Sequence, residues 1–441
     1  MTKLSIIGLG KLGACSAVCF ASKGFEVVGV DINNEFVDSI NKGKAPVFEP
    51  RLQELLISSK GKLRATHDYR EAISDTQITF LIVPSPSRQD GHFSTRYLEE
   101  ALRHLAVALK KFNKKYHLFV ITSTVSPGDT EGSLISLIEQ ISGKKLNKDF
   151  GVCYNPEFIA LGSVINDFLK PDMVLIGESN KLAGDMLQEV YTVACENKPY
   201  FARMSIISAE ITKISLNSYI TMKISFANTL SNICEKIPGA DIDAITKALG
   251  ADKRVSPYYL RGGLAYGGPC FPRDNTAFAA LANKHGINAH LARTTDNVNK
   301  LQIEHTVECI LSHIPANKNN IVAILGLAYK PNTPVIEESA GIKIIEELLT
   351  KKDIEVIAYD SLAMDNAKAH FGDSILYASS VKDCFLNATI CIITTQDEEF
   401  KLIDHKYIIH KPTIIIDCWR MLNPKKLGDN VKYVALGRSI Q

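Results

Sequence analysis

A glycine-spaced turn near the start of the chain constrains the fold more than any other feature. Gly8-Leu9-Gly10-Lys11-Leu12-Gly13 directly follows the apolar run at 4–7 and opens a predicted helix, and Asp31 closes the next strand-like run eighteen residues beyond Gly13. Strand, glycine turn, helix, strand and acidic terminus together form the arrangement that binds a dinucleotide. Gly8 permits the tight turn, Gly10 lets backbone amides approach a pyrophosphate, and Gly13 lets helix and strand pack closely. The pyrophosphate would lie on the backbone from Gly8 to Gly13, at a helix N-terminus whose unpaired N–H groups and dipole favour anions. Asp31 would accept hydrogen bonds from the adenosine ribose and repel a 2′-phosphate, which selects NAD over NADP.

Apolar runs of strand length alternate with amphipathic helical segments through the first part of the chain, with strands expected at 4–7, 26–30, 79–84 and 118–123. That alternation predicts a parallel sheet covered by helices. From about residue 205 to 236 the pattern becomes one long helix without proline, ended by Ile237-Pro238-Gly239, with more helix at 241–249. Strands return beyond Pro315, at 321–325, 354–359, 388–394 and 413–417, and Asp360 repeats the place of Asp31. The expected fold is α/β: two Rossmann-like doubly wound domains at 1–200 and 315–441, joined by a central helical region at 201–300 that offers a dimer surface. The second α/β part has Gly326-Leu327-Ala328-Tyr329-Lys330 at its first turn, with one glycine and a lysine, so it holds a different phosphate-bearing ligand or none.

A length of 441 residues supports two or three cores. The net charge of only +2 supplies no basic field for nucleic acid or anionic membrane, and there is neither a leader-like start nor an apolar run of about 18 residues. A cytoplasmic protein without nucleic-acid or membrane partners is expected. Ten cysteines show no C-x-x-C pairing, so most should be small buried hydrophobes and no metal site is expected. Cys270 stands apart, in Gly262-Gly263-Leu264-Ala265-Tyr266-Gly267-Gly268-Pro269-Cys270-Phe271-Pro272-Arg273-Asp274. It is either a reactive thiol held beside a ligand, with Lys213, Arg261 or Arg273 favouring the thiolate, or a structural cysteine beside a packed Phe-Pro.

Further motifs occur in order: Val83-Pro84-Ser85-Pro86, Ser123-Thr124-Val125-Ser126-Pro127-Gly128, Asn155-Pro156-Glu157-Phe158, and Lys213 with Asn217. With the glycine turns and the cysteine loop, they make nearly the whole chain resemble the UDP-glucose/GDP-mannose dehydrogenase family, in particular its UDP-glucose 6-dehydrogenase branch. The resemblance implies oxidation of a nucleotide sugar's C6 alcohol to the carboxylate with two NAD and no released aldehyde, UDP-glucose giving UDP-glucuronate. It also implies a homodimer, or a higher homo-oligomer, built on the helical region.

By the same resemblance, Lys213 acts as base on the hydroxyl proton, directly or through water, and as a cation stabilises the oxyanion, with Asn217 one helical turn away aimed at the same spot. Cys270 attacks the aldehyde, giving a thiohemiacetal and then a thioester. Asp274, Glu157 and Thr124 handle the hydrolytic water. NAD contacts extend from Gly8, Gly10, Lys11, Leu12, Gly13 and Asp31 to Val83, Pro84, Ser85, Ser123, Thr124 and Arg273. The nucleotide sugar lies against Glu157, Phe158, Ile159, Lys213, Asn217, Tyr258, Tyr259, Leu260, Gly267, Phe271, Tyr329, Lys330 and Arg420, and Arg254 reaches in from a neighbouring subunit. Taken singly, these charges would read as solvated side chains or helix caps.

The chain departs from the family pattern at Leu161, where a second glutamate is usual, at Glu337-Glu338-Ser339 in place of Arg-Glu-Ser, and at Pro269 and Arg273 in place of serine and lysine. Other readings remain open. They are the same chemistry on GDP-mannose or a UDP-N-acetylhexosamine, a one-step β-hydroxyacid dehydrogenase, and a catalytically silent NAD-binding protein.

Overall fold

The first strand, β1 (Leu4–Ile7), is buried at all four residues and lies inside an eight-stranded sheet. The computed structural model describes residues 2–112, 114–314, 320–351, 353–408 and 413–439. The expected boundary at residue 315 lies outside them. The chain divides into two compact units, Met1–Ser215 and Leu216–Gln441.

In the first unit the remaining strands are β2 (Val27–Val30), β3 (Leu63–Thr66), β4 (Ile78–Leu81), β5 (His117–Ile121), β6 (Phe150–Tyr154), β7 (Met173–Glu178) and β8 (Tyr200–Met204). Their spatial order is β3-β2-β1-β4-β5-β6-β7-β8. Period-two alternation sends Leu118 and Val120 to one core and Phe119 and Ile121 to the other, so helices cover both faces. The expected parallel pattern holds except between β6 and β7, which run antiparallel through Cys153↔Glu178 and Tyr154↔Gly177.

Glycines fix how closely the first helix, Lys11–Ser22, approaches the sheet. Gly8 has φ +94°, and a Cβ on it would lie 2.3 Å from the Ile82 carbonyl oxygen. A Cβ on Gly13 would lie 1.8 Å from the Gly8 oxygen. Helix and turn therefore touch backbone to backbone, a contact open only to glycine.

The second unit begins within the long helix Ile206–Lys236, followed by Ile242–Ala251, Phe271–Lys284 and His290–Leu311. Its sheet comprises β9 (Asn320–Leu325), β10 (Ile354–Tyr359), β11 (Leu376–Tyr377), β12 (Ile390–Ile393), β13 (Thr413–Asp417) and β14 (Val431–Ala435), in the order β11-β10-β9-β12-β13-β14 and parallel throughout. Val322 and Ile324 face one core while Ala323 and Leu325 face the other. This is the second doubly wound α/β fold, and the glycine contact recurs in it. Gly326 has φ +109°, and a Cβ on Gly341, in the helix Ala340–Leu349, would lie 2.4 Å from the Gly326 oxygen.

Adding the methyl group should destabilise both places. Gly13→Ala and Gly341→Ala are each expected to cost about 1–3 kcal/mol net, with Gly13 the more severe. Gly132→Ala, where a Cβ would meet nothing within 4 Å, is the neutral control. Thermal unfolding of the three variants checks this, and equal midpoints would contradict it.

Candidate active site

The amide geometry of the first turn fits a dinucleotide. Asp31 accepts from the Leu9 N–H at 2.5 Å and from the Asn33 N–H at 2.8 Å, tying the end of β2 to the turn. Gly10 is the N-cap of the helix Lys11–Ser22 and supplies no side-chain cap. Gly8 and Gly13 are required by protein packing, but a Cβ on Gly10 would meet no protein atom within 4 Å. The open space over Gly10, at an uncapped helix start, suits the close approach of a pyrophosphate. Lys11 is exposed and Leu12 half-buried beside it. Ser123 Oγ accepts from the Val83 N–H at 2.9 Å and donates to the Val83 carbonyl at 2.7 Å, joining the segments after β4 and β5. Pro84 is exposed, Ser85 buried and Thr124 half-buried.

Also in the first unit, Lys213 Nζ donates to the Glu157 carbonyl oxygen at 2.7 Å and lies 4.7 Å from the centre of the Phe158 ring. The ammonium is thus held against the Asn155-Pro156-Glu157-Phe158 turn. Burial pushes the Glu157 carboxyl up to about 7, opposed by the Tyr191 hydroxyl and by Lys213. Tyr191 OH contacts Asn155 Oδ1 at 2.7 Å and Glu157 Oε1 at 3.3 Å. Downstream, Glu49 accepts from the Gly162 and Val164 N–H groups at 2.8 and 2.9 Å, fixing the loop that carries Ile159 and Leu161. Leu161 packs on the apolar core beside Ile159, so the position where the family usually has a carboxylate is here hydrophobic. Glu210, fully buried, accepts from the Gly128 and Thr130 N–H groups at 2.7 and 3.1 Å and holds the end of the loop after β5.

In the second unit, Cys270 is the N-cap of the helix Phe271–Lys284, with Pro272 in the first turn. Among the described cysteines it alone is exposed. Seven are buried, and burial pushes thiols such as Cys15, Cys19 and Cys391 far up, as expected of small core residues. The uncapped N–H groups of the first turn favour negative charge where Cys270 sits. The Cys270 carbonyl accepts from the Asp274 N–H at 2.8 Å, and Asn217 Nδ2 donates to Asp274 Oδ2 at 2.6 Å. Asp274 Oδ1 lies 3.6 Å from Arg273 Nε. Asn217 and Asp274 are both buried, and the structure brings them together directly.

Buried amides from two helices hold the glycine loop before Cys270. Asn228 accepts from the Gly263 N–H at 2.9 Å and donates to the Leu264 carbonyl at 3.0 Å. Asn299 accepts from the Tyr266 N–H at 2.8 Å and donates to its carbonyl at 2.9 Å. Gln302 donates to the Gly263 carbonyl at 2.7 Å. A Cβ on Gly267 would lie 2.1 Å from the Glu338 carbonyl oxygen, and one on Gly268 would lie 2.6 Å from the Tyr329 ring. Gly268 N–H also donates to the Glu337 carbonyl at 3.2 Å. The Glu337-Glu338 backbone therefore anchors the loop, while the Glu338 side chain pairs with Lys343.

The other candidates differ in accessibility. Tyr329 and Lys330 are half-buried after β9, and the Phe271 ring meets Tyr259 and Tyr266 edge-on at 6.2 and 6.1 Å. Leu260 is buried, whereas Tyr258, Tyr259 and Arg254 are exposed, and the Arg254 guanidinium pairs with Asp252 at 2.6 Å. Arg420 is enclosed: it donates to Asp243 at 2.9 and 3.1 Å, to the Gly262 carbonyl at 2.7 Å and to the Leu436 carbonyl at 2.6 Å. These bonds use the guanidinium within the fold, so here Arg420 supports the glycine loop. Arg261 reaches Gln396 at 2.6 Å and the Trp419 carbonyl at 2.9 Å. Among the described residues no cluster of three metal-ligating side chains occurs, and no helix is long and apolar enough to cross a membrane.

Sequence reading missed Tyr191, Glu49, Glu210, Asn228, Asn299 and Gln302. Each acts on backbone or side chains far away in the chain, and no local motif announces it. Their partners, among them Asn155, Gly128 and Gly263, lie within motifs that the sequence already marked.

The doubly wound domain and its glycine turn define an NAD-dependent dehydrogenase. The sequence matches the NAD binding domain of the UDP-glucose/GDP-mannose dehydrogenase family over residues 2–195, the family's central domain over 207–301 and its UDP binding domain over 323–424. The chain belongs to that family, whose members are nucleotide-sugar dehydrogenases. It is 36% identical to the UDP-glucose 6-dehydrogenase AglM of Haloferax volcanii over 427 residues, covering 96% of this chain and 98% of that protein. A GDP-mannose 6-dehydrogenase of Pseudomonas syringae pv. tomato is 33% identical, covering 92% and 93%. Among solved structures, a UDP-glucose dehydrogenase from the hyperthermophilic archaeon Pyrobaculum islandicum superposes with a TM-score of 0.90 at 30% identity, covering 100% of this chain and 98% of that one.

The environment of Glu157 predicts a pH effect on stability. Its carboxyl holds a proton more tightly folded, at about 7, than unfolded, at about 4.3. The resulting stabilisation is complete below the unfolded value and is lost as pH rises through about 7. Glu157→Gln removes this titration. The wild-type unfolding midpoint should therefore fall relative to the variant's by several degrees between pH 4.5 and 7.5, and parallel curves would refute the assignment.

Proposed function

We propose that the chain oxidises the C6 alcohol of UDP-glucose to the carboxylate of UDP-glucuronate, with Cys270 holding the sugar covalently between two oxidations. The observation that carries this reading is Cys270 itself: an exposed thiol at a helix N-terminus, on a loop fixed by buried amides, in a chain whose other cysteines are more enclosed. NAD, held by the turn from Gly8 to Gly13 and by Asp31, supplies the hydride acceptor for each oxidation.

The first C6 hydride leaves as the C6 hydroxyl proton passes to water, and the Lys213 ammonium stabilises the oxyanion that develops as the aldehyde forms. The Cys270 thiolate adds to the aldehyde carbon, forming a C–S bond, and the resulting alkoxide takes up a proton to give a thiohemiacetal. Loss of that hydroxyl proton and of the second C6 hydride leaves a thioester. Water then attacks the thioester carbon, the C–S bond breaks, and carboxylate and thiol are released. Asp274, oriented by Asn217, and Glu157, with Thr124, receive the protons of that water. A Glu157 carboxyl near 7 suits an acid–base group working at neutral pH.

Tyr329 and Lys330 meet the nucleotide, with Lys330 as the cation for its phosphates. Phe158, Ile159, Leu260, Gly267 and Phe271 line the sugar's surroundings, and Arg254 serves the site of a second subunit. UDP-glucose is favoured by the likeness to the Haloferax and Pyrobaculum enzymes and by Cys270-Phe271-Pro272-Arg273-Asp274, a sequence usually lacking in the acetamido-sugar branch. The likeness to the Pseudomonas enzyme supports a second reading, the same chemistry on GDP-mannose.

Dimerisation fits the exposed face of the long helix. Tyr219, Phe226 and Ile233 recur every seven residues at about half exposure, forming one apolar stripe. Ile233, Ile237, Val298 and Leu301 border a cavity of about 460 Å³. A second copy of the chain would cover this face.

Two measurements test these readings. Incubation with NAD and a panel of nucleotide sugars should give two NADH per acid formed with UDP-glucose, and Cys270→Ala should lower acid formation at least about a thousandfold while NAD still binds. One NADH with a released aldehyde, or full acid production by the variant, would defeat the thioester route; preferential turnover of GDP-mannose would select the second sugar. Separately, Phe226→Arg should change the mass in light scattering from twice 48.6 kDa to 48.6 kDa. An unchanged dimer would place the interface elsewhere.

A further inference from the structure

The loop after the helix Ile242–Ala251 has an unusual backbone. Ser256 and Tyr259 both occupy the left-handed region, at φ +66° and +60°, although neither is glycine. Non-glycine residues hold that conformation only where their surroundings impose it. Two groups do so here. Asp252 accepts from the Arg254 N–H at 2.9 Å, and its backbone carbonyl accepts from the Val255 and Ser256 N–H groups at 2.9 and 3.1 Å. On the inner side, three carbonyls converge on one ammonium: Lys223 Nζ donates to Val255 O at 3.1 Å, Ser256 O at 3.1 Å and Tyr258 O at 2.7 Å.

Three carbonyl dipoles aimed at one point repel each other unless a cation lies between them, and an ammonium has three N–H groups to give. Lys223 comes from the helix Ile206–Lys236, so the loop is referenced to a rigid element. With its carbonyls turned inward, the loop presents Arg254, Tyr258 and Tyr259 outward, all exposed. Gly250 lets the loop close over its own helix, since a Cβ there would lie 2.8 Å from Pro257 Cα. Burial lowers the Lys223 pKa below the ordinary lysine value, as for an ammonium partly withdrawn from water.

We propose that Lys223 is a positioning residue for nucleotide-sugar binding, gathering the carbonyls of Val255, Ser256 and Tyr258 so that Arg254, Tyr258 and Tyr259 stand in their gripping arrangement. This rests on the reading above that the loop meets the nucleotide sugar. The Lys223 ammonium is spent on three loop carbonyls and acts through the loop.

The test compares Lys223→Met, Arg254→Ala and the double variant with UDP-glucose and NAD. Lys223→Met should raise KM for UDP-glucose about tenfold or more, with kcat within about threefold of wild type and KM for NAD unchanged. The double variant should be worse than Arg254→Ala alone, but by clearly less than Lys223→Met worsens the wild type, because with Arg254 gone only Tyr258 and Tyr259 remain to be displaced. Should Lys223→Met not fold, Lys223→Gln, which keeps a shorter N–H donor, carries the same test at about threefold. A raised KM in Arg254→Ala with an unchanged KM in the Lys223 variant overturns the proposal alone. Unchanged KM in Arg254→Ala overturns it together with the reading of the loop. Strictly additive effects also overturn it, since Lys223 would then act elsewhere.

Discussion

The contact between Gly13 and the Gly8 carbonyl sets the geometry on which the first unit depends. With a Cβ only 1.8 Å from that oxygen, no other residue lets the first helix leave the sheet at this distance. The approach places the helix N-terminus beside the end of β1, where Asp31 ties down the Leu9 amide and Gly10 stays open. In the second unit Gly341 takes the place of Gly13, but a longer connection, residues 327–339, separates it from its turn. There Asp360 accepts from the Leu327 and Ala328 N–H groups at 2.7 and 3.0 Å, and its other oxygen accepts from Leu362 and Ala363. The same strand–helix joint thus serves an open turn in one unit and, in the other, a turn whose carboxylate is saturated by the backbone.

Around the candidate residues, buried polar side chains take the part usually played by regular secondary structure. Backbone N–H and C=O groups in a glycine-rich loop need partners once water is excluded. Asn228, Asn299 and Gln302 provide them for residues 263–266, while Glu49 and Glu210 do so for loops of the first unit. Removing Asn228 or Asn299 would strand two backbone groups at once, a cost of about 1–3 kcal/mol for each.

Much of this was legible in the sequence, and the exceptions have physical reasons. The central strands were visible as apolar runs, but those expected at 79–84 and 118–123 end earlier, at Leu81 and Ile121. Beyond those points Ser123 bonds to Val83 through its side chain, so the apolar run continues where the ladder has stopped. β3, Leu-Arg-Ala-Thr, is an edge strand with little apolar signal, and β11 has two residues. The reversal at β7 depends on which edge the chain returns to, a choice that no local pattern encodes. Motifs named Glu157, Lys213, Asn217, Cys270 and Asp274. They were silent on Tyr191 and the amide clamps, because a buried asparagine on a helix looks like any other until its partner is known. Arg420 shows the reverse: a charge assigned to the ligand by resemblance is enclosed and fully engaged with Asp243, Gly262 and Leu436.

That enclosure also bears on how the chain can be divided. Arg420 joins the start of the helix Ile242–Ala251, the glycine loop and the end of β14, while Gly437 exchanges backbone and side-chain bonds with Ile242 and Glu235. A fragment ending near residue 301, where the match to the central family domain stops, would lose Arg420 and leave the Gly262 carbonyl and the Asp243 carboxylate without it. The helices of the second unit and the end of its sheet therefore share these bonds, and a division of the chain should keep them together.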